Sequence, residues 1–178
     1  MEVSFLRRLF KQKTKRVVIT ICGLDKAGKT TIVRYLVAGE YKSTTPTMGV
    51  NREVIDLPNL QMDIFDLGGQ EDFRGLWPEI NEKSDGLVYV VDGTDYLRLF
   101  ESKEIFHNII GGQINTMIPV LILLNKCDME NPISRPEFIE RFELMDLENV
   151  KWACYVTSAI TGEGVYEAFK WFIDEFQE

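Results

Sequence analysis

The chain has 178 residues, 45% of them hydrophobic, with 13 glycines and 6 prolines, which is apolar material for one domain core and argues against disorder. Its 20 lysines and arginines against 28 acids leave a net charge of −8, which excludes the basic surplus of a general nucleic-acid binder. Three cysteines (Cys22, Cys127, Cys154) at spacings unlike metal ligands fit a reducing compartment rather than a disulfide framework.

The charge is uneven. Residues 1–16 carry Arg7, Arg8, Lys11, Lys13, Lys15 and Arg16 against Glu2, a local +5 that leaves −13 for the other 162 residues. Within this start, Val3, Phe5, Leu6, Leu9 and Phe10 can share one helical face flanked by Arg7, Arg8 and Lys11. The longest apolar stretch, Met117 to Leu124, has eight residues and includes Pro119, far short of the ~18 that a membrane span needs. A secretory h-region and a C-terminal prenylation cysteine are both missing. The expectation is a cytoplasmic protein with a basic amphipathic segment over 1–16 and one folded domain over 17–178.

Val17 to Cys22 is a continuous apolar run, as in a strand covered on both faces, and a glycine turn leads into a helix from Thr30 to Ala38. Val50 to Leu57 and Leu60 to Phe65 read as a hairpin around Pro58-Asn59. Gly86 to Val91, Pro119 to Leu124 and Cys154 to Thr157 are further strands, with helical segments near 97–110, 135–145 and 163–176. The last is the clearest amphipathic helix: Val165, Ala168, Phe169, Phe172, Ile173 and Phe176 form one stripe. Strands alternating with helices predict an α/β domain, a mostly parallel six-stranded sheet with helices on both faces.

Three motifs carry chemistry. Gly23-Leu24-Asp25-Lys26-Ala27-Gly28-Lys29-Thr30 matches a phosphate-binding loop and lies between a strand and a helix, as that motif requires. Its N–H groups and the helix start would bind nucleotide phosphates, with Lys29 neutralising the β and γ groups and Thr30 ligating Mg²⁺. Asn125-Lys126-Cys127-Asp128 follows an apolar strand directly, at the end of an open sheet where ligands bind. The carboxylate of Asp128 can accept from both N1–H and N2–H₂ of guanine, whereas adenine would leave it unpaired. Thr157-Ser158-Ala159 would supply backbone N–H groups to the guanine oxygen. The third motif, Asp66-Leu67-Gly68-Gly69-Gln70, offers an acid for Mg²⁺, a glycine N–H for the γ-phosphate and a glutamine to orient water. Each string has a plainer reading as a polar or glycine turn, and it is their co-occurrence in this order that makes them specific.

Together with Thr31, the run Pro46-Thr47-Met48-Gly49-Val50-Asn51, the pair Leu76-Trp77 and Ser158-Ala159, these motifs resemble the Arf and Arf-like family of small GTPases over nearly the whole chain. The Gly-Gly-Gln form is unlike the usual Ala-Gly-Gln of the Ras, Rho and Rab branches. The helical insertion of heterotrimeric Gα subunits has no room between Thr31 and Thr47. The resemblance implies a P-loop small G domain, with Thr47 as the mobile Mg²⁺ ligand and Gln70 as the catalytic residue. It also implies a switch loaded by an exchange factor, shut off by a GTPase-activating protein, and read by effectors. Because no arginine is evidently placed as a finger, slow intrinsic hydrolysis is expected. Three departures stand out: Glu2 excludes N-myristoylation, Phe65 replaces the usual Trp, and Lys26 adds charge to the phosphate loop.

By the same resemblance, the N-terminal segment implies GTP-dependent binding to anionic membranes. Two other functional classes remain open at this level. One is a nucleotide-loaded binding module that hardly turns over; the other is an ATP-using P-loop kinase, disfavoured by Asn125 and Asp128.

Overall fold

The computed structural model describes residues 14–115 and 117–177. Of the expected basic amphipathic segment over 1–16, residues 1–13, which include its apolar face, lie outside them. Its last two basic residues, Lys15 and Arg16, belong to the first strand.

Six strands, β1 (Lys15–Cys22), β2 (Val50–Leu57), β3 (Leu60–Leu67), β4 (Gly86–Asp92), β5 (Val120–Asn125) and β6 (Trp152–Val156), form one sheet in the order β2-β3-β1-β4-β5-β6. The β2–β3 hairpin is antiparallel, and the other four pairings are parallel. This is the mixed, mostly parallel sheet expected from the alternation of strands and helices. The helices are α1 (Lys29–Ala38), α2 (Glu71–Arg74), α3 (Trp77–Asn81), α4 (Leu99–Gly112), α5 (Arg135–Arg141) and α6 (Val165–Asp174).

Continuous apolar runs in the central strands are explained by two cores. On one face Val88, Val90, Leu121 and Leu123 meet Ile32 and Val33 of α1 and Val165, Ala168, Phe169 and Phe172 of α6. Alternate residues of the same strands, Leu87, Tyr89, Val91, Val120, Ile122 and Leu124, face Trp77, Phe106, Ile109, Phe138 and Phe142 on the other side. Side chains alternate across a pleat, so a strand covered on both faces has no polar side to show. Among the described residues no helix is long and apolar enough to cross a membrane.

Two elements differ from expectation. The helix expected over 135–145 stops at Arg141, Glu143 takes φ 53°, and a single 3₁₀ turn covers Leu144–Asp146. Phe138 and Phe142 share one helical face, but Leu144, also fully buried, would fall off that face in an unbroken helix, so the chain breaks to bury it. The short α2 and α3, with Gly75 and Pro78 between and inside them, offered too few turns for a periodic signal.

Phe65 packs at the edge of the second core, as expected of the residue replacing Trp, and takes the Arg52 guanidinium over its ring at 5.8 Å. His107 is half-buried, with Nε2 2.7 Å from the Phe142 carbonyl.

Candidate functional site

At the C-terminal ends of β1, β3 and β5 the loops, with the segment before β2, enclose a cavity of about 300 Å³. It is lined by residues 28–31, 44–47 and 69–70, together with Asp25, Lys26 and Lys126. The position follows from topology, since β1 is the strand from which neighbouring connections run to opposite sides of the sheet.

The floor is the turn from β1 into α1. Gly28 sits at φ 98° as the residue capping α1, and a Cβ there would come 2.3 Å from Asn125 Nδ2. Asn125, fully buried at the end of β5, uses that amide to donate to Ala27 O at 2.9 Å. Its Oδ1 accepts from the Thr157 hydroxyl at 3.2 Å and the Ala159 N–H at 3.1 Å. One side chain therefore joins the phosphate loop, the 125–128 motif and the 157–159 turn. The Ser158 N–H is also engaged, donating to Glu163 O at 3.0 Å. For the Ala159 N–H to reach a base oxygen it must leave or share Asn125.

Lys29 is 6% exposed and donates from Nζ to Gly23 O at 3.0 Å and Leu24 O at 2.8 Å. Burial pulls its ammonium down to about 8, against the opposing charges of Asp66 and Asp25. Asp66, 1% exposed at the end of β3, accepts on Oδ2 from the Thr30 hydroxyl at 2.6 Å and the Thr47 hydroxyl at 3.3 Å. The two hydroxyls are 2.8 Å apart, and Asp66 Oδ1 is buried without a hydrogen-bond partner. Burial pushes the Asp66 carboxyl up, while the Thr30 bond and Lys29 oppose the shift. Two hydroxyls and a carboxylate with an orphaned oxygen are hard donors that fit a small divalent cation, so these three residues could hold Mg²⁺.

The 68–70 turn closes over this floor. A Cβ on Gly69 would lie 2.3 Å from Asp25 N and 2.5 Å from Lys29 Nζ, so only glycine lets the turn rest on the phosphate loop. Gln70 follows as the exposed residue at the start of α2 and lines the cavity. Trp77 Nε1 donates to Gly68 O at 3.1 Å from within the second core, anchoring the turn. Arg74 donates from Nε to Gly69 O at 3.0 Å and from Nη1 to Glu101 at 2.9 Å.

At the 125–128 turn, Lys126 takes φ 69° and places Nζ 2.6 Å from Asp92 Oδ2. The turn continues through half-buried Cys127 to exposed Asp128 and closes with Met129 N donating to Lys126 O at 3.0 Å. The Cys127 thiol is pushed up by burial and by the nearby carboxylates of Glu163 and Asp128. Leu24 is buried beneath the loop, and exposed Lys26 takes φ 63°.

Most of the expected residues line the cavity; Gly23, Leu24, Ala27, Asp66 and Asn125 adjoin that lining through the chain or the hydrogen bonds given above, and Asp128, Ser158 and Ala159 stand on adjoining turns. Sequence reasoning missed Thr44 and Thr45, which line it from the loop before Thr47, with the Thr44 hydroxyl 3.2 Å from that of Thr31. It also missed the arginines that brace it. Arg98 and Arg74 had no visible signal, because the contacts that tie them to the site are to a residue remote in sequence, Asp25, or to a backbone oxygen, Gly69 O.

The ADP-ribosylation factor family model matches residues 3–176. ADP-ribosylation factor F of Dictyostelium discoideum is 40% identical over 167 residues, spanning 93% of this chain and 87% of that protein. ADP-ribosylation factor J of the same organism is 36% identical over 170 residues, 94% of this chain and 90% of that protein. The structure of the Arl6 BBS3 small GTPase from Trypanosoma brucei with the bound nucleotide analogue GppNp superposes with a TM-score of 0.82 at 27% identity. It covers 90% of this chain and 96% of that one.

Proposed function

The chain belongs to the ADP-ribosylation factor family of small GTPases, which bind guanine nucleotides and hydrolyse GTP to GDP and phosphate, and on that premise we propose how its own residues divide the work. The loop from Gly23 to Thr31 takes the phosphates, with Lys29 on the β and γ groups. Thr30, Thr47 and Asp66 hold Mg²⁺, which when bound adds positive charge to oxygens of the transferring phosphoryl group. Gly69 offers its N–H to the γ-phosphate, and Gln70 orients the attacking water. Asn125, Lys126 and Asp128 receive the base, with Ser158 and Ala159 beside them. The observation that carries this reading is the convergence of the Thr30 and Thr47 hydroxyls on one buried, half-satisfied carboxylate beside Lys29.

Competition decides the nucleotide: unlabelled GTP should displace fluorescent GDP and ATP should not. Single-turnover hydrolysis by the isolated chain should run below about 10⁻² s⁻¹, the rate scale of a domain with its own catalytic arginine. Arg74 and Arg98, which bond to Gly69 and Asp25, are both already paired to acids, so neither stands free as a finger. Equal displacement by ATP, or faster hydrolysis, would refute the assignment.

Regulators and effectors go with a small GTPase. Our reading adds an exchange factor that loads it and an activating protein that lends an arginine, worth about 10³–10⁵ in rate. It also places the protein in the cytoplasm, moving to anionic membranes in the GTP state through residues 3–16. Each basic residue near such a surface contributes about 1 kcal/mol, which is why a run of them suffices without a spanning helix. GTP-loaded protein should co-sediment with anionic liposomes and GDP-loaded protein should not. Equal pelleting of both forms, or no loss on deleting residues 1–13, would sink the membrane switch.

A further inference from the structure

Arg98 follows β4 and lies 73 residues from Asp25 in the chain, yet its guanidinium spans two acids at once. Nη1 is 2.6 Å from Asp25 Oδ1, Nε is 2.7 Å from Asp95 Oδ2, and Nη2 donates to Asp25 O at 3.3 Å. The pair is half-buried, with side-chain exposures of 32% for Arg98 and 29% for Asp25. Burial pushes the Asp25 carboxyl up, but its bond to Arg98 and the charges of Arg98, Lys26 and Lys29 outweigh that and hold it below the ordinary carboxylate value.

The carbonyl that Arg98 grips belongs to the peptide leading into Lys26. That residue, at φ 63°, occupies the left-handed region that a non-glycine side chain enters only when its surroundings hold it there. On its other side, the turn carrying Asp95 is tied to the base motif. Gly93 N donates to Asn125 O at 2.9 Å, and Asp92 holds the Thr94 N–H, the Thr94 hydroxyl and Lys126 Nζ at 2.6–2.9 Å. Asp25 and Lys126 both line the nucleotide cavity. One turn, residues 92–98, thus braces the phosphate side and the base side of the same site.

We propose that Arg98 is a positioning residue: it clamps the phosphate loop through Asp25 and thereby sets how long the nucleotide stays bound. This rests on the assignment of the cavity to guanine nucleotide. A lone surface ion pair would be worth little, but here a planar fork with three donors fixes both a carboxylate and a strained peptide. A row of backbone N–H groups binds phosphate well only while its curvature is held, so loosening the clamp should shorten residence. It should not alter the choice of base, because the groups that read the base remain in place.

The test is release of fluorescent GDP chased by excess unlabelled GDP with Mg²⁺ present. Arg98→Ala should release about five- to tenfold faster, a size consistent with one half-exposed, multidentate ion pair. Asp25→Asn should act in the same direction. Arg98→Lys should recover less than half of the effect, because one ammonium cannot span Asp25 and Asp95 together. The double variant Arg98→Ala/Asp25→Asn should be within twofold of the faster single variant, since both remove one interaction. Lys103→Ala, which breaks the Lys103–Glu143 pair on α4, should leave release unchanged and controls for general loosening.

Release by Arg98→Ala within twofold of wild type, or additive single effects, overturns the clamp. So does unchanged release with hydrolysis slowed more than tenfold, which would make Arg98 a catalytic residue. Wild-type protein that fails to bind fluorescent GDP would instead refute the nucleotide assignment, so the two failures are distinguishable.

Discussion

Lys29→Ala should lower affinity for GDP and GTP by about 10²–10⁴-fold, the loss of two charge-assisted hydrogen bonds to phosphate at about 1.5–3 kcal/mol each. The side chain is almost fully buried and its ammonium is the cation beside both Asp66 and the loop carbonyls of Gly23 and Leu24. Truncation leaves the two carbonyls without their donor and removes from the buried Asp66 carboxylate the Lys29 charge that opposes its desolvation. Arginine should not rescue it, because the Gly69 turn leaves no room above Nζ for a guanidinium. Titration of fluorescent GDP checks both variants. An affinity for Lys29→Ala within tenfold of wild type would show that the nucleotide does not sit on this loop.

The second large effect is one of selectivity. Asp128→Asn should turn preference from guanine toward xanthine nucleotides, by about 10²–10³-fold in the ratio of affinities. The carboxylate accepts two donors from guanine, each worth about 1.5–3 kcal/mol, whereas an amide can donate to the carbonyl that xanthine carries in place of the amine. Asp128 is exposed on the turn after β5, so the variant should stay within about 0.5 kcal/mol of wild-type stability. That separation makes the result readable: altered competition by xanthosine diphosphate at equal melting temperature reports the base, not the fold. Unchanged selectivity would remove Asp128 from base recognition.

Both expectations rest on residues that were legible beforehand. Lys29 and Asp128 belong to short contiguous strings whose spacing is set by local geometry, a strand–turn–helix and a strand end. Asp66 was legible as an acid ahead of two glycines, but the chain alone did not say that β3 would run on to Leu67. It does so because Leu67 is fully buried and Asp66 pairs in register with Asn51 across the hairpin and with Ile21 of β1. Thr44 and Thr45 were unreadable because the 40–49 segment is a loop, with no periodicity to mark which of its threonines face the cavity. The early end of α5 had a readable cause in the spacing of Phe138, Phe142 and Leu144. It could be weighed only once all three were seen to be buried.

By itself the sequence determined the apolar strands, the amphipathic α6 and the phosphate and base strings, because each is written within a few residues and obeys a local period or turn chemistry. Tertiary structure alone decided which distant groups meet: Thr30 with Thr47 and Asp66, Asn125 with Ala27 and Ala159, and Arg98 with Asp25. The reason is physical. A polar side chain has the same appearance in a string whether it ends in water or in a partner, and only burial on the closed sheet makes an unpaired end costly enough to select the partner.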